Sequence, residues 1–140
     1  NGTHRNMTEI KSKEVVVNSN SENIFNFISN LNNFYELLPQ DKISDFKADN
    51  ESCVFKVSGS VTVSLVHKES EPFSKLVLTG NEKAPFAYEL HIFLEEQPNG
   101  QTKAWQVVKA DLNPFIKMMV ERPLKNLFDF VAEKLQEKYA

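Results

Sequence analysis

The chain has 140 residues, of which 41% are hydrophobic and 25% are charged, a composition typical of a single globular domain and not of a disordered chain. Its 16 Lys and Arg residues against 19 Asp and Glu residues give a formal net charge of −3, so the charge gives no reason to expect nucleic acid as a partner. The single cysteine excludes an intrachain disulfide and any metal site built from several cysteines.

The first six residues are polar and without pattern, and Met7 resembles a natural start. We therefore expect residues 1–6 to be a tag remnant or disordered, and residues 7–140 to form one domain. No stretch approaches the roughly 18 apolar residues of a membrane span, and no signal peptide is visible. We expect a cytoplasmic protein without an integral membrane segment.

The next part of the chain predicts a strand followed by two short helices. Three adjacent β-branched residues, Val15–Val17, favour the strand. Ser19 and Glu22 have the spacing of a capping box, and the apolar residues that follow recur at helical spacing up to residue 31. A second short helix is indicated over residues 34–38, before a proline.

The middle of the chain alternates apolar and polar residues, which predicts about six antiparallel strands. Apolar residues occupy odd positions on both sides of Gly59. Both rows share one face only if Val57 lies opposite Val61 and Phe55 lies opposite Val63. That register requires an odd-length loop, and three residues around Gly59 satisfy it.

A second hairpin is predicted at Asn99-Gly100, after a strand over residues 76–78 and another over residues 86–94. An even loop centred on this dipeptide sets Leu94 opposite Trp105 and Ile92 opposite Val107. Both apolar rows then share the inner face.

The same register points Lys109 and Asp111 inward, with Tyr88 opposite Asp111. In that position they could form an ion pair, hold a polar group of a ligand or act in acid–base chemistry. The alternative is a bulge or a frayed strand end that lets both charged groups reach solvent.

A long helix is predicted from Asn113-Pro114, with Asn as N-cap and Pro in the first turn, to about residue 138. Pro123 predicts a kink or break within it. Phe115, Met118 and Met119 add apolar groups to its first half, where they either pack on the sheet or face a cavity, a short helix or a partner chain.

No catalytic or metal-binding set of residues emerges, and we predict no cofactor and no metal. Cys53 lies on the predicted apolar face, which indicates a buried, unreactive thiol. His91 shares a face with Glu89 and Glu95, and we expect it to be exposed. His67 lacks an evident partner for general-base catalysis.

The order of elements resembles the START-like or Bet v 1-like (SRPBCC) superfamily, including its polyketide cyclase/dehydrase-like and coenzyme Q-binding-like families. Val15–Val17 and the two predicted helices resemble the opening of that fold, and residues 111–135 with Asn113-Pro114 and Pro123 resemble its terminal helix. The resemblance implies an α+β helix-grip fold, in which a curved antiparallel sheet of about seven strands surrounds the long helix. It also implies a hydrophobic cavity for lipids, sterols, polyketides or similar molecules.

The function expected from this resemblance is the binding or transport of a small hydrophobic ligand, such as a lipid, polyketide or isoprenoid, between sheet and helix. The residues expected to line the cavity are Phe55, Val63, Leu78, Phe86, Tyr88, Leu90, Ile92, Trp105, Val107, Lys109, Asp111, Phe115, Met118 and Met119. Two alternatives remain open: a cyclase- or hydratase-type enzyme using Tyr88, Lys109 and Asp111, and a protein–protein interaction module. The sequence leaves the oligomeric state open.

Overall fold

The computed structural model describes residues 7–140, and residues 1–6, the predicted tag remnant or disordered segment, lie outside the described part. The elements in chain order are β1 (Thr8–Lys11), β2 (Val15–Val17), α1 (Ser21–Ser29), a 3₁₀ helix (Leu31–Leu37), β3 (Ile43–Ala48), β4 (Ser52–Val57), β5 (Val61–Glu71), β6 (Lys75–Thr79), β7 (Tyr88–Glu96), β8 (Thr102–Ala110) and α2 (Pro114–Lys138). Within residues 7–140, no helix is both long enough and apolar enough to cross a membrane.

Residues 7–140 form an eight-stranded antiparallel sheet in the order β1-β8-β7-β6-β5-β4-β3, with β2 also paired to β8. The count exceeds the predicted seven because the first strand is divided into β1 and β2, which pair with different parts of β8. Helix α2 packs on β1, β2 and β8. The predicted α+β helix-grip architecture is confirmed.

The two helix starts differ in how well they were predicted. Asn20 is the N-cap of α1, and its side chain accepts a hydrogen bond from the Asn23 N–H at 2.8 Å, so the capping box placed at Ser19 is wrong by one residue. Asn113 caps α2 as predicted and accepts from the Ile116 N–H at 2.9 Å. Helix α2 continues through Pro123 without a break.

The β4–β5 hairpin has the predicted register. Val57 pairs with Val61, and Phe55 pairs with Val63. The connecting loop contains three residues, 58–60, and both Ser58 and Gly59 have left-handed backbone angles, with φ of 53° and 74°. The apolar rows of both strands therefore share the inner face of the sheet.

The predicted register of the β7–β8 hairpin is wrong by one residue. Leu94 lies opposite Ala104 and Ile92 opposite Gln106, not opposite Trp105 and Val107. The cause is an odd loop, in which the Gln97 N–H donates to the Gln101 carbonyl across three residues and Gly100 alone is left-handed, with φ of 81°. A shift of one residue transfers every side chain of β8 to the opposite face.

This shift places the side chains of Trp105, Val107 and Lys109 on the outer face of the sheet, where they were not expected. Lys109 lies opposite Glu89 on β7, whereas Tyr88 lies opposite Ala110. Asp111 follows the end of β8, and its N–H donates to the Ala87 carbonyl at 3.1 Å. The predicted inward set of Tyr88, Lys109 and Asp111 therefore does not form.

On the outer face, the Trp105 ring stacks on Phe93 with a centroid distance of 5.3 Å. We expect Trp105→Ala to lower the free energy of unfolding by about 1–2 kcal/mol, because the change removes one cross-strand aromatic pair from a half-buried surface. The inward placement predicted from the sequence would cost about 3–5 kcal/mol. Urea unfolding followed by circular dichroism measures the difference, and a loss in the larger range would contradict the outer placement.

The core lies between the inner face of the sheet, α1, the 3₁₀ helix and the second half of α2. Buried side chains on the helices are Ile24, Phe25, Ile28, Leu31, Phe34, Leu37, Leu127, Phe128, Val131, Ala132 and Leu135. In residues 114–126, all of which the structure describes, no side chain is buried. The first half of α2 therefore lies over the sheet without packing tightly against it.

Candidate functional site

A pocket of about 140 Å³ lies between the β4–β5 hairpin, the loop after β6 and the first half of α2. Its lining residues are Val57, Val61, Thr62, Val63, Leu65, Pro85, Phe86, Tyr88, Leu90, Val108, Met119, Val120, Pro123, Leu124, Leu127 and Phe128. Val61 and Met119 are also exposed to solvent, so this end of the pocket reaches the surface.

The pocket follows from how α2 packs. Helix α2 turns Val120, Leu124 and Leu127 toward the sheet at a spacing of three and four residues, the spacing of one helical face. Leu127 is buried, whereas Val120 and Leu124 are only half-buried. The helical face is thus continuous, but its side chains are buried only from Leu127 onward.

One wall of the pocket depends on a contact between Tyr88 and Gly80. Strand β6 ends at Thr79, so the part of β5 around Ser64 has no pairing partner from β6. The Tyr88 ring crosses over Gly80, and its hydroxyl donates to the Ser64 carbonyl at 2.5 Å and accepts from the Ser64 N–H at 3.2 Å. A Cβ at Gly80 would lie 2.8 Å from this ring. The Tyr88 hydroxyl therefore makes the backbone hydrogen bonds that a paired strand would give to Ser64, and the side chain forms one wall of the pocket.

The pocket is lined by apolar groups. Among the described residues that line it, only Thr62 and Tyr88 carry a polar side-chain atom. The Tyr88 hydroxyl already donates its proton to the Ser64 carbonyl, so it cannot donate to a ligand without breaking that bond. Among residues 7–140, no acid–base pair lines the cavity.

The predicted cavity residues fall into three groups. Those that line the pocket are Val63, Phe86, Tyr88, Leu90 and Met119. Those that contribute to the core or to a second, smaller cavity are Phe55, Leu78, Ile92 and Trp105, the last with its ring on the outer face. Those that lie away from both cavities are Val107, Lys109, Asp111, Phe115 and Met118. Phe115 and Met118 are strongly exposed on the far side of α2, with 68% and 83% of their surface accessible.

Eleven lining residues were missed. They are Val57, Val61, Thr62, Leu65, Pro85, Val108, Val120, Pro123, Leu124, Leu127 and Phe128. Val57, Val61 and Leu65 belong to the alternating row, and Val120, Leu124 and Leu127 belong to the helical stripe, so the sequence did carry a signal that they face inward. The inward position of Val108 was not predicted, because the predicted β8 register is wrong by one residue.

Cys53 is buried on the inner side of β4, as predicted. Burial raises the pKa of its thiol to about 12, so almost no thiolate forms near neutral pH. We expect a thiol-specific disulfide reagent at pH 8 to leave the native protein unmodified and to react rapidly after unfolding in guanidinium. Rapid labelling of the folded protein would contradict the buried position.

His91 is buried with 7% of its surface exposed, so its predicted exposure is wrong. It does lie on the outer face, where it pairs with Val77 and Val107 of the neighbouring strands. Its Nε2 lies 2.9 Å from a carboxylate oxygen of Glu89. Hydrogen bonds from Lys68 and from His91 hold the pKa of Glu89 below its usual range. This cluster lies away from the pocket, and among residues 7–140 no group of three or more His, Cys, Asp or Glu side chains is placed to hold a metal.

The antiparallel sheet with its long C-terminal helix has the START-like fold, and comparison with solved structures supports that fold. Protein XoxI from Bacillus cereus superposes with a TM-score of 0.74 at 13% identity, covering 95% of this chain and 96% of that one. An uncharacterized protein from Bacillus thuringiensis gives 0.72 at 11% identity, covering 94% and 98%. A START superfamily protein from Mycobacterium smegmatis gives 0.68 at 12% identity, covering 96% and 97%. No family model and no curated protein matches the sequence. At these identities the likeness establishes the fold alone.

Proposed function

We propose that residues 7–140 act as one START-like domain that binds a small hydrophobic molecule in the pocket beneath the first half of α2. The observation that carries this proposal is the lining, in which the walls are apolar and the Tyr88 hydroxyl is held by Ser64. Ligand sites are typically concave and mostly apolar with few polar groups. The partner would be a lipid, a polyketide, an isoprenoid or a similar molecule rather than nucleic acid, and such a carrier would work in the cytoplasm.

The size of the pocket limits the ligand. A volume of about 140 Å³ is comparable with the roughly 150 Å³ of an apolar cavity that takes up benzene. The pocket as it stands fits one ring or a short chain. A larger ligand requires the first half of α2 to move outward, which costs little buried surface because the buried part of α2 begins at Leu127.

The three residues suggested for the alternative enzyme function do not converge on the pocket. Lys109 lies on the outer face, Asp111 lies beyond the end of β8, and the Tyr88 hydroxyl is hydrogen-bonded to the backbone. General acid–base catalysis requires a group within hydrogen-bond reach of the reacting atoms. A non-catalytic binding function therefore agrees best with this geometry.

Binding of p-xylene tests the proposal, with Leu124→Trp and Met118→Trp as a matched pair. Leu124 lines the pocket, whereas Met118 on the same helix is exposed to solvent and does not line it. We expect Leu124→Trp to weaken binding at least about tenfold by filling the cavity, and Met118→Trp to leave the affinity within about twofold. Ligand-detected NMR measures the affinity, and thermal melting confirms that both variants fold. Equal affinity in wild type and both folded variants would contradict binding in this pocket.

A second candidate, a protein-interaction surface, draws on the exposed Phe115 and Met118 of α2, which lie outside the pocket lining. Large exposed apolar groups of this kind are common at protein interfaces. If the surface joins two copies of the chain, sedimentation mass should rise with concentration, and the double change Phe115→Ser and Met118→Ser should abolish that rise. A constant mass in wild type would contradict self-association.

A further inference from the structure

Gln106 is a buried polar residue on the inner face of β8, opposite Ile92, with 4% of its surface exposed. Its side-chain Nε2 donates to the Phe128 carbonyl of α2 at 2.9 Å. Its backbone N–H donates to the Ser12 hydroxyl at 2.9 Å. The residue thus links the centre of the sheet to the first buried turn of α2.

The other side-chain atom, the carbonyl oxygen Oε1 of Gln106, has no hydrogen-bond partner among residues 7–140. The orientation of the amide is fixed, because the Phe128 carbonyl can only accept and Nε2 must face it. A buried amide oxygen without a partner carries a free-energy penalty, and most such atoms in proteins are satisfied. Oε1 is therefore an acceptor to which the fold supplies no donor.

Gln106 does not line the pocket itself but lies one strand pair beyond it on the same face of the sheet. The strand pair Leu90–Val108 lines the pocket, and the next pair on the same face, Ile92–Gln106, lines a second cavity of about 10 Å³. On α2, Phe128 lines the pocket and the following turn lines the second cavity. The two cavities are formed by successive pairs of the same strands and successive turns of the same helix. They are therefore neighbours, one strand pair and one helical turn apart.

We propose that the ligand of this pocket is an apolar molecule with one hydroxyl group at the end nearer Gln106, and that this hydroxyl enters the second cavity and donates to Oε1 of Gln106. This inference rests on the proposed function. An alcohol or phenol supplies the missing donor without a charge. An ammonium group would be buried without a carboxylate among the lining residues, and a carboxylate would oppose the lone pairs of Oε1.

A site built to hydrogen-bond a hydroxyl discriminates strongly against an analogue that lacks it, because the buried protein atom is then left unpaired. The compounds p-cresol and p-xylene form a matched pair, since one methyl group of p-xylene is replaced by a hydroxyl of similar size. In wild type, p-cresol should move the side-chain amide NMR signals of Gln106, whereas p-xylene should leave them nearly unchanged.

The variant Gln106→Met keeps the length of the side chain and removes the acceptor. We expect it to weaken p-cresol binding about tenfold and to leave p-xylene binding within about twofold. An equal change for both compounds would overturn the proposal. The amide signals of Gln106 give a second test in the wild-type protein, independent of how well the variant folds, and signals unmoved by bound p-cresol would also overturn it.

Failure of this inference can be told apart from failure of the proposed function. If p-xylene binds and p-cresol gains nothing from Gln106, the pocket binds apolar ligands and only the inference is wrong. If neither compound binds the wild-type protein, the proposed function fails and the inference fails with it.

Discussion

Phe34→Ala is expected to lower the free energy of unfolding by about 3–5 kcal/mol, the largest single effect that we predict for this chain. Phe34 lies in the 3₁₀ helix with 1% of its surface exposed. It shares the wall of the small second cavity with Ile28 of α1 and Val131 of α2, so truncation would enlarge a void between three helices. Because a typical domain has a total stability of about 5–15 kcal/mol, this loss threatens folding at physiological temperature.

The neighbouring residue Tyr35 provides the control. It lies in the same helix but is exposed, and its ring contacts Phe46 at a centroid distance of 5.2 Å. We expect Tyr35→Ala to cost about 1 kcal/mol, since it removes one aromatic contact and no core volume. Chemical unfolding of both variants measures the two losses. Similar losses would contradict the proposed packing of the 3₁₀ helix against α2.

Gly80→Ala is expected to cost about 2–3 kcal/mol, although it adds only one methyl group. The added Cβ would lie 2.8 Å from one Tyr88 ring atom and 3.0 Å from the Ala84 Cβ, so the ring must move. Movement of the ring breaks the hydrogen bonds between the Tyr88 hydroxyl and Ser64 and alters one wall of the pocket. We therefore expect weaker binding of p-xylene together with the loss of stability.

A double-mutant cycle isolates the cause. In a Tyr88→Ala background the ring is absent, and Gly80→Ala should then cost less than about 1 kcal/mol. Unfolding free energies of the two single variants and the double variant measure the coupling. The same cost for Gly80→Ala in both backgrounds would show that the clash with Tyr88 is not responsible.

Local pattern was sufficient to predict the order of elements and one hairpin register. In β4 and β5 the apolar rows on both sides of Gly59 allow a common face only with an odd loop, so packing and turn geometry impose the same register. In β7 and β8 the Asn99-Gly100 signal is compatible with two loop lengths. The choice depends on the left-handed backbone of Gly100 and the closing bond from Gln97 to Gln101, which are properties of the folded loop.

The site was less predictable than the fold, because alternation tells which side chains face inward but not how far apart two layers stand. Leu124 and Leu127 belong to one helical stripe and both line the pocket, yet Leu127 is buried and Leu124 is only half-buried. The difference arises from the distance between α2 and the sheet, and no local sequence pattern predicts that distance. The burial of His91 was not predicted for a related reason. Neighbouring strands cover part of the outer face that the pattern assigned to solvent.

The central claim is that the pocket under the first half of α2 takes up a small hydrophobic molecule. Methyl NMR spectra recorded during titration with p-xylene test it most directly. The account predicts saturable shifts concentrated at the methyl groups of Val63, Leu90 and Leu127, with the distant core methyls of Val15 nearly unchanged. Absence of saturable shifts, or shifts confined to Met118 on the outside of the helix, would contradict it.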